Sequence, residues 1–288
     1  MEILQPGTWQ EALEMKAAQP EAKPIAGGTD VMVALNFDQI RPPAMLDLTR
    51  IAELTAWGPD NGSLRIGAGV TYARLIAELG DRLPGLALAS RTVGSPQISN
   101  RGPVGGNLGT SSPAGDGLPP LYVSGAEVEL ASTTATRRVP IAEFISGPKR
   151  NTIAPDELIA AFFLPPAAGP QQFAKVGTRN AMVIAVCSLA LALWPDEHRV
   201  AACIGSAGPT PILAAGACEF IAGVLDEQRL WESRAAISET ALGRFGELVA
   251  GAAQPIDDVR GSAAYRRHAL RVLGRRTLAW AWAEYRCA

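Results

Sequence analysis

The chain has 288 residues, enough for two domains and a sizeable core, which excludes a short peptide or a disulfide-stapled miniprotein. Lysine and arginine number 26 against 28 acidic residues, so the formal net charge of −2 leaves no excess positive charge for a nucleic-acid backbone. The N-terminus lacks the pattern of a secretory signal and no run of eighteen apolar residues occurs, so we expect a cytoplasmic protein that is not inserted in a membrane.

Short strands and helices with local start and stop signals are predicted in the first third of the chain. Thr8 and Glu11 form a capping box, which predicts a helix that begins at Trp9 and ends near Gln19. The further predicted elements are a strand at 23–26, a tight loop at 27–30, a helix at 31–35, strands at 44–48 and 63–68 with a hairpin turn at Asn61-Gly62, and a helix over 72–79 capped by Thr71.

Residues 90–120 have little periodicity. They contain seven glycines and five prolines within thirty-one residues. A structureless connection of this length is uncommon in a compact domain unless it binds a ligand. This stretch is therefore the first candidate for a binding site.

The second half of the chain is predicted to continue with strands and to end in helices. Pro165 and Pro166 end a strand and mark a domain boundary at 165–170. The predicted elements are strands at 126–131 and 157–164, an antiparallel sheet made from 173–176, 181–194 and 200–205, helices after a start at Thr210-Pro211, and a long last helix over 262–282. Strands and helices in mixed order indicate the α+β class.

Two glycine-rich loops, at 26–30 and 102–110, are candidates for holding phosphate groups. Because glycine lacks a Cβ atom, a ligand can approach the backbone amides, and consecutive amides form a concave surface for phosphate oxygens. Neither loop is a Walker A motif and neither matches GxGxxG, so a Rossmann nucleotide site is excluded. The alternative is that both loops are only turns that require positive φ angles.

Several motifs together resemble the FAD-binding medium subunit of the molybdenum hydroxylases, relatives of xanthine dehydrogenase and bacterial carbon monoxide dehydrogenase. The similarity covers nearly the whole chain in the same order. Its motifs are the loop at 26–30, the run Val104-Gly105-Gly106-Asn107 followed by Ser112, Pro113 and Asp116, the segment 173–179, and the helix start at 262–267. The resemblance implies a two-lobed FAD-binding domain at 1–166, with lobes of about 1–57 and 58–166, and a smaller C-terminal α+β domain at 167–288 with a small antiparallel sheet and helices.

The resemblance also implies which residues bind the FAD diphosphate. These residues are Ile25, Ala26, Gly27, Gly28, Thr29, Asp30 and Val31 on one side, and Val104, Gly105, Gly106, Asn107 and Thr110 on the other. The Thr29 hydroxyl and the Asn107 amide suit a polar ligand. An inward-facing Asp30 carboxylate would repel a diphosphate, so we expect Asp30 to cap the helix that starts at Val31.

Three further residues are implied as cofactor contacts. Asp116 is expected to accept hydrogen bonds from the ribose hydroxyls, with an Asx-turn or helix N-cap as its alternative role. Leu158 is expected to pack on the isoalloxazine ring. Lys175 is expected near the pyrimidine edge of that ring, where a positive charge raises the potential, with a solvated strand position as its alternative. Pro103 departs from the family pattern, because relatives commonly carry Thr or Ser there and proline supplies neither a hydroxyl nor an amide donor.

The implied function is electron transfer within a heteromeric enzyme, with FAD on this chain and no catalytic acid or base. A [2Fe-2S] small subunit would deliver electrons after a molybdopterin large subunit hydroxylates the substrate, and NAD+, oxygen or another acceptor would receive them.

The four cysteines include no CxxC pair, so the clusters and the metal are assigned to the partner chains and the thiols are expected to be buried. Trp280, Trp282 and Leu278 are expected to serve packing or subunit contact. The alternatives are a stand-alone flavoprotein oxidoreductase and a cofactor-free scaffold subunit.

Overall fold

A computed structural model describes all 288 residues, and the chain in it divides into two units. The first unit contains Met1–Glu78, Ser95–Ser112 and Gly125–Pro165. The second contains Leu79–Gly94, Pro113–Ser124 and Pro166–Ala288. The chain therefore passes between the units five times.

The first unit begins with a small parallel sheet. Its elements are β1 (Glu2–Leu4), α1 (Trp9–Ala18), β2 (Lys23–Ile25), α2 (Val31–Asn36) and β3 (Ala44–Asp47). The strand order is β1-β3-β2, and both pairings are parallel. The predicted capping box is confirmed, since the Thr8 hydroxyl accepts from the Glu11 amide at 3.2 Å. The sequence did not predict β1 or the parallel pairing, because strands of three residues carry no periodicity.

A five-stranded antiparallel sheet forms the rest of the framework of the first unit. Its strands are β4 (Trp57–Asp60), β5 (Ser63–Gly67), β6 (Glu127–Ala131), β7 (Thr136–Pro140) and β10 (Leu158–Leu164), in the order β4-β5-β10-β6-β7. The predicted hairpin turn is confirmed, with φ of 48° at Asn61 and 85° at Gly62. Smaller elements are α3 (Tyr72–Leu79), capped by Thr71, α8 (Ile141–Phe144), and the hairpin of β8 (Ile145–Gly147) with β9 (Arg150–Asn151).

The segment predicted as a long irregular loop contains short helices instead. These are α5 (Pro96–Arg101) and α6 (Val104–Thr110) in the first unit, and α7 (Leu118–Val123) in the second, which also holds α4 (Pro84–Ser90). Helices of only six or seven residues have little intrinsic stability, and α6 and α7 are held by residues that they bury in the core. For that reason the sequence pattern did not show them.

The second unit is built on a four-stranded antiparallel sheet, which confirms the small antiparallel sheet expected for the C-terminal part. Its strands are β11 (Gln171–Val176), β12 (Cys187–Trp194), β13 (Arg199–Gly205) and β14 (Ile212–Leu213), in sequential order. Every residue of β12 is buried, and its alternate residues from Cys187 to Leu193 point into the helical core. The predicted helix start at Thr210-Pro211 was wrong, because Ile212 and Leu213 first pair with β13.

Four helices complete the second unit, namely α9 (Ala215–Glu227), α10 (Leu230–Ser233), α11 (Glu239–Ala252) and α12 (Ala263–Cys287). The predicted last helix is confirmed, and the Ser262 hydroxyl caps it. Helices α11 and α12 approach closely where Gly246 meets Gly274. Cys187 and Cys203 are buried as expected, but Cys287 is exposed at the end of α12. No helix combines the length and the apolar character that a bilayer span requires.

Candidate functional site

The predicted cofactor residues fall into two groups, one in each unit. The residues of the two glycine-rich loops and Leu158 lie in the first unit, whereas Asp116 and Lys175 lie in the second. Within the first unit, the loop at 26–30 links β2 to α2, and the second loop runs from the end of α5 into α6.

The two glycine-rich loops touch each other through their backbones. A Cβ atom added to Gly27 would stand 2.8 Å from the Gly102 Cα atom, closer than side-chain carbons approach in proteins. The Thr110 hydroxyl donates a hydrogen bond of 2.7 Å to the Asp30 carboxylate, which joins the far ends of the same two loops. The structure thus brings together the residues on both sides of the predicted diphosphate site.

Asp30 does not perform the capping role expected of it. It precedes α2, as predicted, but its side chain makes no capping hydrogen bond and its backbone already has helical angles. A capping residue normally has extended angles, which direct its side chain back to the first amides of the helix. The carboxylate instead accepts from Thr110 and is exposed.

Several glycines of these loops are required by the fold itself. Gly28 has φ of +74°, a left-handed conformation that side chains rarely adopt. A Cβ atom on Gly105 would stand 2.8 Å from the Ala68 Cβ atom and closer still to the Ala68 carbonyl oxygen. Glycine at these positions is therefore explained without any ligand.

Gly106 and Gly109 have no such internal explanation. Both are exposed, and they lie three residues apart on one face of α6. A Cβ atom on Gly106 would meet only the Pro103 ring, at 3.6 Å, and one on Gly109 would meet only Ile159, at 3.7 Å. Glycine within a helix costs up to about 1 kcal/mol relative to alanine, and no contact inside the chain requires it here. The helix therefore presents bare backbone to its surroundings.

Asn151 braces the end of α6 and was missed by the sequence analysis. Its side-chain amide donates to the Gly109 carbonyl and to the Ser111 hydroxyl, both at 3.1 Å. Ser111 ends the helix in a left-handed conformation with φ of 48°. Asn151 lies forty residues away in the chain, so no local signal could have indicated this contact.

Pro103 fits the backbone at the start of α6. Its φ of −86° lies near the proline range, and its carbonyl accepts from the Gly106 amide at 3.0 Å. The neighbouring Val104 amide donates to the Val70 carbonyl at 3.2 Å. Pro103 thus supplies no side-chain donor but directs the chain into the helix.

Leu158 is a core residue at the start of β10. It is 2% exposed and packs with Ala131 and Ala160 in the hydrophobic cluster of the first unit. Ile159, the next residue, faces Gly109. Ring packing by Leu158 stays a prediction, and Ile159 is the neighbour that borders the bare face of α6.

Asp116 and Lys175 form a buried ion pair in the second unit. The Lys175 ammonium donates to the Asp116 carboxylate at 2.6 Å, to the Thr92 carbonyl at 2.8 Å and to the Val183 carbonyl at 3.0 Å. The two side chains are 10% and 8% exposed. Lys175 is therefore not the solvated strand residue that was its alternative role. All three ammonium protons have acceptors within the second unit.

One oxygen of Asp116 has no partner. Oδ2 accepts from Lys175 and from the Thr92 hydroxyl, whereas the buried Oδ1 accepts no hydrogen bond. Burial raises the pKa of Asp116 above its usual value, against the Lys175 ammonium and the Thr92 hydroxyl, which lower it. The carboxylate makes neither the Asx-turn nor the N-cap bond that was its alternative, since α7 starts after Gly117 without a side-chain cap.

The two histidines of the chain, His198 and His268, lie at the surface. His198 is exposed, accepts or donates a hydrogen bond of 2.9 Å with Asp226 and stacks on Trp231. No group of three or more potential metal ligands occurs.

Family models match both parts of the chain. The model described as the FAD binding domain in molybdopterin dehydrogenase matches residues 1–167. The model described as the CO dehydrogenase flavoprotein C-terminal domain matches residues 172–281.

Individual proteins give the same result. The chain is 34% identical over 217 residues to a xanthine dehydrogenase FAD-binding subunit of Escherichia coli O157:H7, covering 71% of this chain and 73% of that protein. It is 31% identical over 208 residues to a nicotinate dehydrogenase FAD-subunit of Eubacterium barkeri, covering 69% and 70%. The fold matches a chain of quinoline 2-oxidoreductase from Pseudomonas putida 86 with a TM-score of 0.90 at 22% identity, over 99% of this chain and 98% of that one.

Proposed function

The chain belongs to the family of FAD-binding subunits of the molybdopterin dehydrogenases, and we propose that it carries electrons through FAD from a [2Fe-2S] partner to NAD+, oxygen or another acceptor. It is an oxidoreductase subunit of the xanthine dehydrogenase and carbon monoxide dehydrogenase type, with FAD as its own cofactor. Molybdopterin and the iron–sulfur clusters belong to the partner subunits.

The bare face of α6 is the observation that carries the proposal. Gly106 and Gly109 leave backbone exposed where nothing in the chain requires it, beside a loop pair joined by Thr110 and Asp30. A diphosphate needs close approach to backbone and to small polar side chains, which these residues supply. The residues proposed to hold it are those of the loop at 26–30 together with Gly105, Gly106, Asn107 and Thr110.

Asp116 supports a ribose contact. Its unpartnered Oδ1 is a buried acceptor, and a buried acceptor without a hydrogen bond is costly unless a ligand or water supplies a donor. A sugar hydroxyl supplies such a donor. Lys175 holds the other carboxylate oxygen and so keeps Oδ1 in one orientation.

Bound FAD supplies the redox chemistry, and the side chains of this subunit position it. Lys175 is proposed as a positioning residue for Asp116 and, as the sequence resemblance implies, as a neighbour of the ring. Its charge is balanced by Asp116 at 2.6 Å, so its influence on the flavin potential is smaller than that of an unpaired cation. No side chain of the chain is proposed as a general acid or base.

Flavin content and co-purification test the proposal. The chain, purified and incubated with excess FAD, is passed through a gel-filtration column and its flavin absorbance is measured. We expect about one FAD per chain, because the chain holds a single pair of such loops. The tagged chain expressed with its neighbouring genes is then analysed for iron and molybdenum, which we expect to co-elute.

Two results would contradict the proposal. A chain that retains no flavin under any of these conditions would be a scaffold. A purified chain that turns over a small-molecule substrate without other subunits would be a stand-alone flavoprotein. The electron acceptor is identified in a separate experiment. NAD+ or oxygen is supplied to the reduced complex, and the return of the flavin absorbance is followed.

A further inference from the structure

A basic groove runs along the surface between α11 and α12, away from every residue proposed to hold FAD within the second unit. It has a volume of about 660 Å³ and continues at Arg271 into a second depression of about 370 Å³. Its floor is formed by small and apolar residues, including Leu242, Val272 and Ala279. Its rim carries Arg267, Arg271, Arg275 and Arg276.

The charge of the groove opposes that of the chain. Four arginines face two glutamates, Glu239 and Glu247, whereas the whole chain has a net charge of −2. The Arg275–Glu239 pair, at 2.6 Å, is more than half exposed on both sides. Such surface pairs are worth at most about 1 kcal/mol, so an incoming carboxylate can replace this one.

Trp280 adds an apolar anchor at one end of the groove. Its indole is 48% exposed, whereas Trp282, two residues later, is 3% exposed and donates to the Ala235 carbonyl. Tryptophan and arginine are the side chains most enriched among residues that dominate the energy of protein interfaces. The exposed indole beside a row of arginines therefore has the composition of an interface centre.

The dimensions favour a polypeptide over a small anion. From Arg267 to Arg276 the helix rises about 14 Å, so no single small anion reaches all four arginines. The arginine side chains are exposed, and no buried polar group converges on one point of the groove as in sites for small anions. Glu239 and Glu247 on the same rim would repel a phosphate-rich ligand, whereas a polypeptide can space its charges to match both signs.

We propose that this groove binds an acidic segment of another subunit of the complex, with carboxylates on the arginine row and an apolar side chain against Trp280. The proposal rests on the heteromeric function proposed above. It assigns this surface to subunit recognition and does not involve FAD.

Charge reversal tests the proposal in the assembled complex. The variant Arg271→Glu/Arg275→Glu is expressed with the partner subunits, and retention of both partners is measured by tagged pull-down and gel filtration. We expect an apparent affinity lower by about tenfold or more at about 0.05 M salt, with a smaller difference at about 0.5 M salt. Trp280→Ala should weaken retention at both salt concentrations, because its contact is apolar.

A matched control separates recognition from a general charge effect. Arg50→Glu/Arg229→Glu changes the net charge equally at exposed residues outside the groove and should retain the partners like the wild type. Wild-type-like retention and salt dependence in the groove variant would overturn the proposal. A groove variant that alters only self-association of the isolated chain would also overturn it, in favour of a second copy as the occupant.

Flavin content is measured on the same samples, so that failure of the groove proposal and failure of the proposed function give different results. Loss of the partner subunits from the groove variant, with its flavin content unchanged, supports the proposed role of the groove. A wild-type chain that binds flavin but retains no partner would contradict both the groove and the heteromeric function.

Discussion

Gly105 and Gly106 are adjacent in α6 but lack side chains for different physical reasons. Gly105 packs on the backbone and side chain of Ala68, so the fold requires it. Gly106 is exposed, and an added Cβ atom would meet only the Pro103 ring, so no contact inside the chain requires glycine there. Substitutions at the two residues should therefore separate folding from ligand binding.

Gly106→Val should lose FAD while the fold remains intact. Its side chain would occupy the surface at which the diphosphate is proposed to lie, and its nearest neighbour inside the chain is at ordinary contact distance. Gly105→Val should instead destabilise the protein by about 1–3 kcal/mol or more, because the added atoms overlap Ala68. The measurements are flavin absorbance and denaturant unfolding.

Gly251→Val is the control for this pair. Gly251 lies in α11 with nothing within 4 Å of an added Cβ atom, so the variant should keep both flavin and stability. Full flavin content in Gly106→Val would contradict the assignment of the loop.

Lys175→Met should lower the free energy of unfolding. It leaves the buried Asp116 carboxylate without its cation, a change that typically costs about 3–5 kcal/mol. Burial already raises the pKa of Asp116, and loss of Lys175 removes an interaction that lowers it. Such an acid has a higher pKa in the folded protein than in the unfolded chain. Its contribution to the free energy of unfolding is complete below the unfolded pKa and is lost as the pH rises through the folded pKa.

The variant should therefore lose stability as the pH rises from acid to neutral, more steeply than the wild type. Unfolding free energies at several pH values measure this slope. The double variant Lys175→Met/Asp116→Asn should remove the extra slope, and an unchanged slope in the single variant would show that the pair is not buried in solution. The flavin potential is measured on the single variant, where a fall is expected because only the Lys175 charge is lost.

At the scale of elements, Arg266 fixes the start of α12 to the sheet of the second unit. The Arg266 guanidinium is 3% exposed and donates to the Val186 carbonyl at 2.8 Å, to the Ser206 carbonyl and to the Asp258 carboxylate at 2.6 Å. The sequence resemblance included the helix start at 262–267, and the contacts give the physical role of Arg266 within it. It joins the start of α12 to the ends of β12 and β13.

Arg266→Met should destabilise the protein by on the order of 3 kcal/mol, because two buried carbonyls lose their donor. Arg267→Met is the control, since Arg267 is exposed and one residue away. Chemical denaturation compares the two. Equal stability of both variants would contradict the anchoring role of Arg266.

Glu78, at the end of α3, makes the stability of the protein depend on pH in the acid range. The carboxylate accepts from Arg74 at 2.7 and 2.8 Å and from the Trp57 indole at 2.6 Å, which lowers the pKa of Glu78 to about 2. A lowered pKa contributes stability above the unfolded value of 4.5 and loses it as the pH falls towards about 2.

Glu78→Gln should therefore lower the melting temperature at pH 7 and show a smaller further loss between about pH 5 and pH 3 than the wild type. Thermal unfolding across this range is the measurement. Glu14→Gln, at an exposed position of α1, is the control and should follow the wild-type curve. Parallel curves for Glu78→Gln and the wild type would contradict the lowered pKa.

Local signals predicted elements well, and contacts between distant residues were predicted poorly. Thr8, Asn61-Gly62 and Ser262 act within a few residues, and each marks the turn or helix start expected of it. The Asp116–Lys175 pair and the Asn151 brace join residues 59 and 40 positions apart, so their geometry could not be deduced from spacing. The glycine loops were identified from the sequence, but only the structure separates Gly106 from Gly105.

For the whole molecule, FAD binding should appear as added stability. A ligand that binds only the folded state at 100 times its Kd adds about 2.7 kcal/mol. For a protein of this size that corresponds to a rise in melting temperature of roughly 5–10 °C. Thermal unfolding with and without FAD measures the shift, and riboflavin, which lacks the diphosphate, should give little. An equal shift with riboflavin would contradict binding through the diphosphate.

The division of the chain into 1–166 and 167–288 stays a prediction, and the path of the chain has a consequence for synthesis. Helices α4 and α7 leave the ribosome long before β11, β12 and β13, the strands they pack against. At ordinary translation rates roughly 5–20 s separate residue 94 from residue 205. During that interval their apolar side chains, from Leu86 to Val123, lack the cover that these strands provide. The nascent polypeptide must pass through a stage in which chaperones have a hydrophobic target.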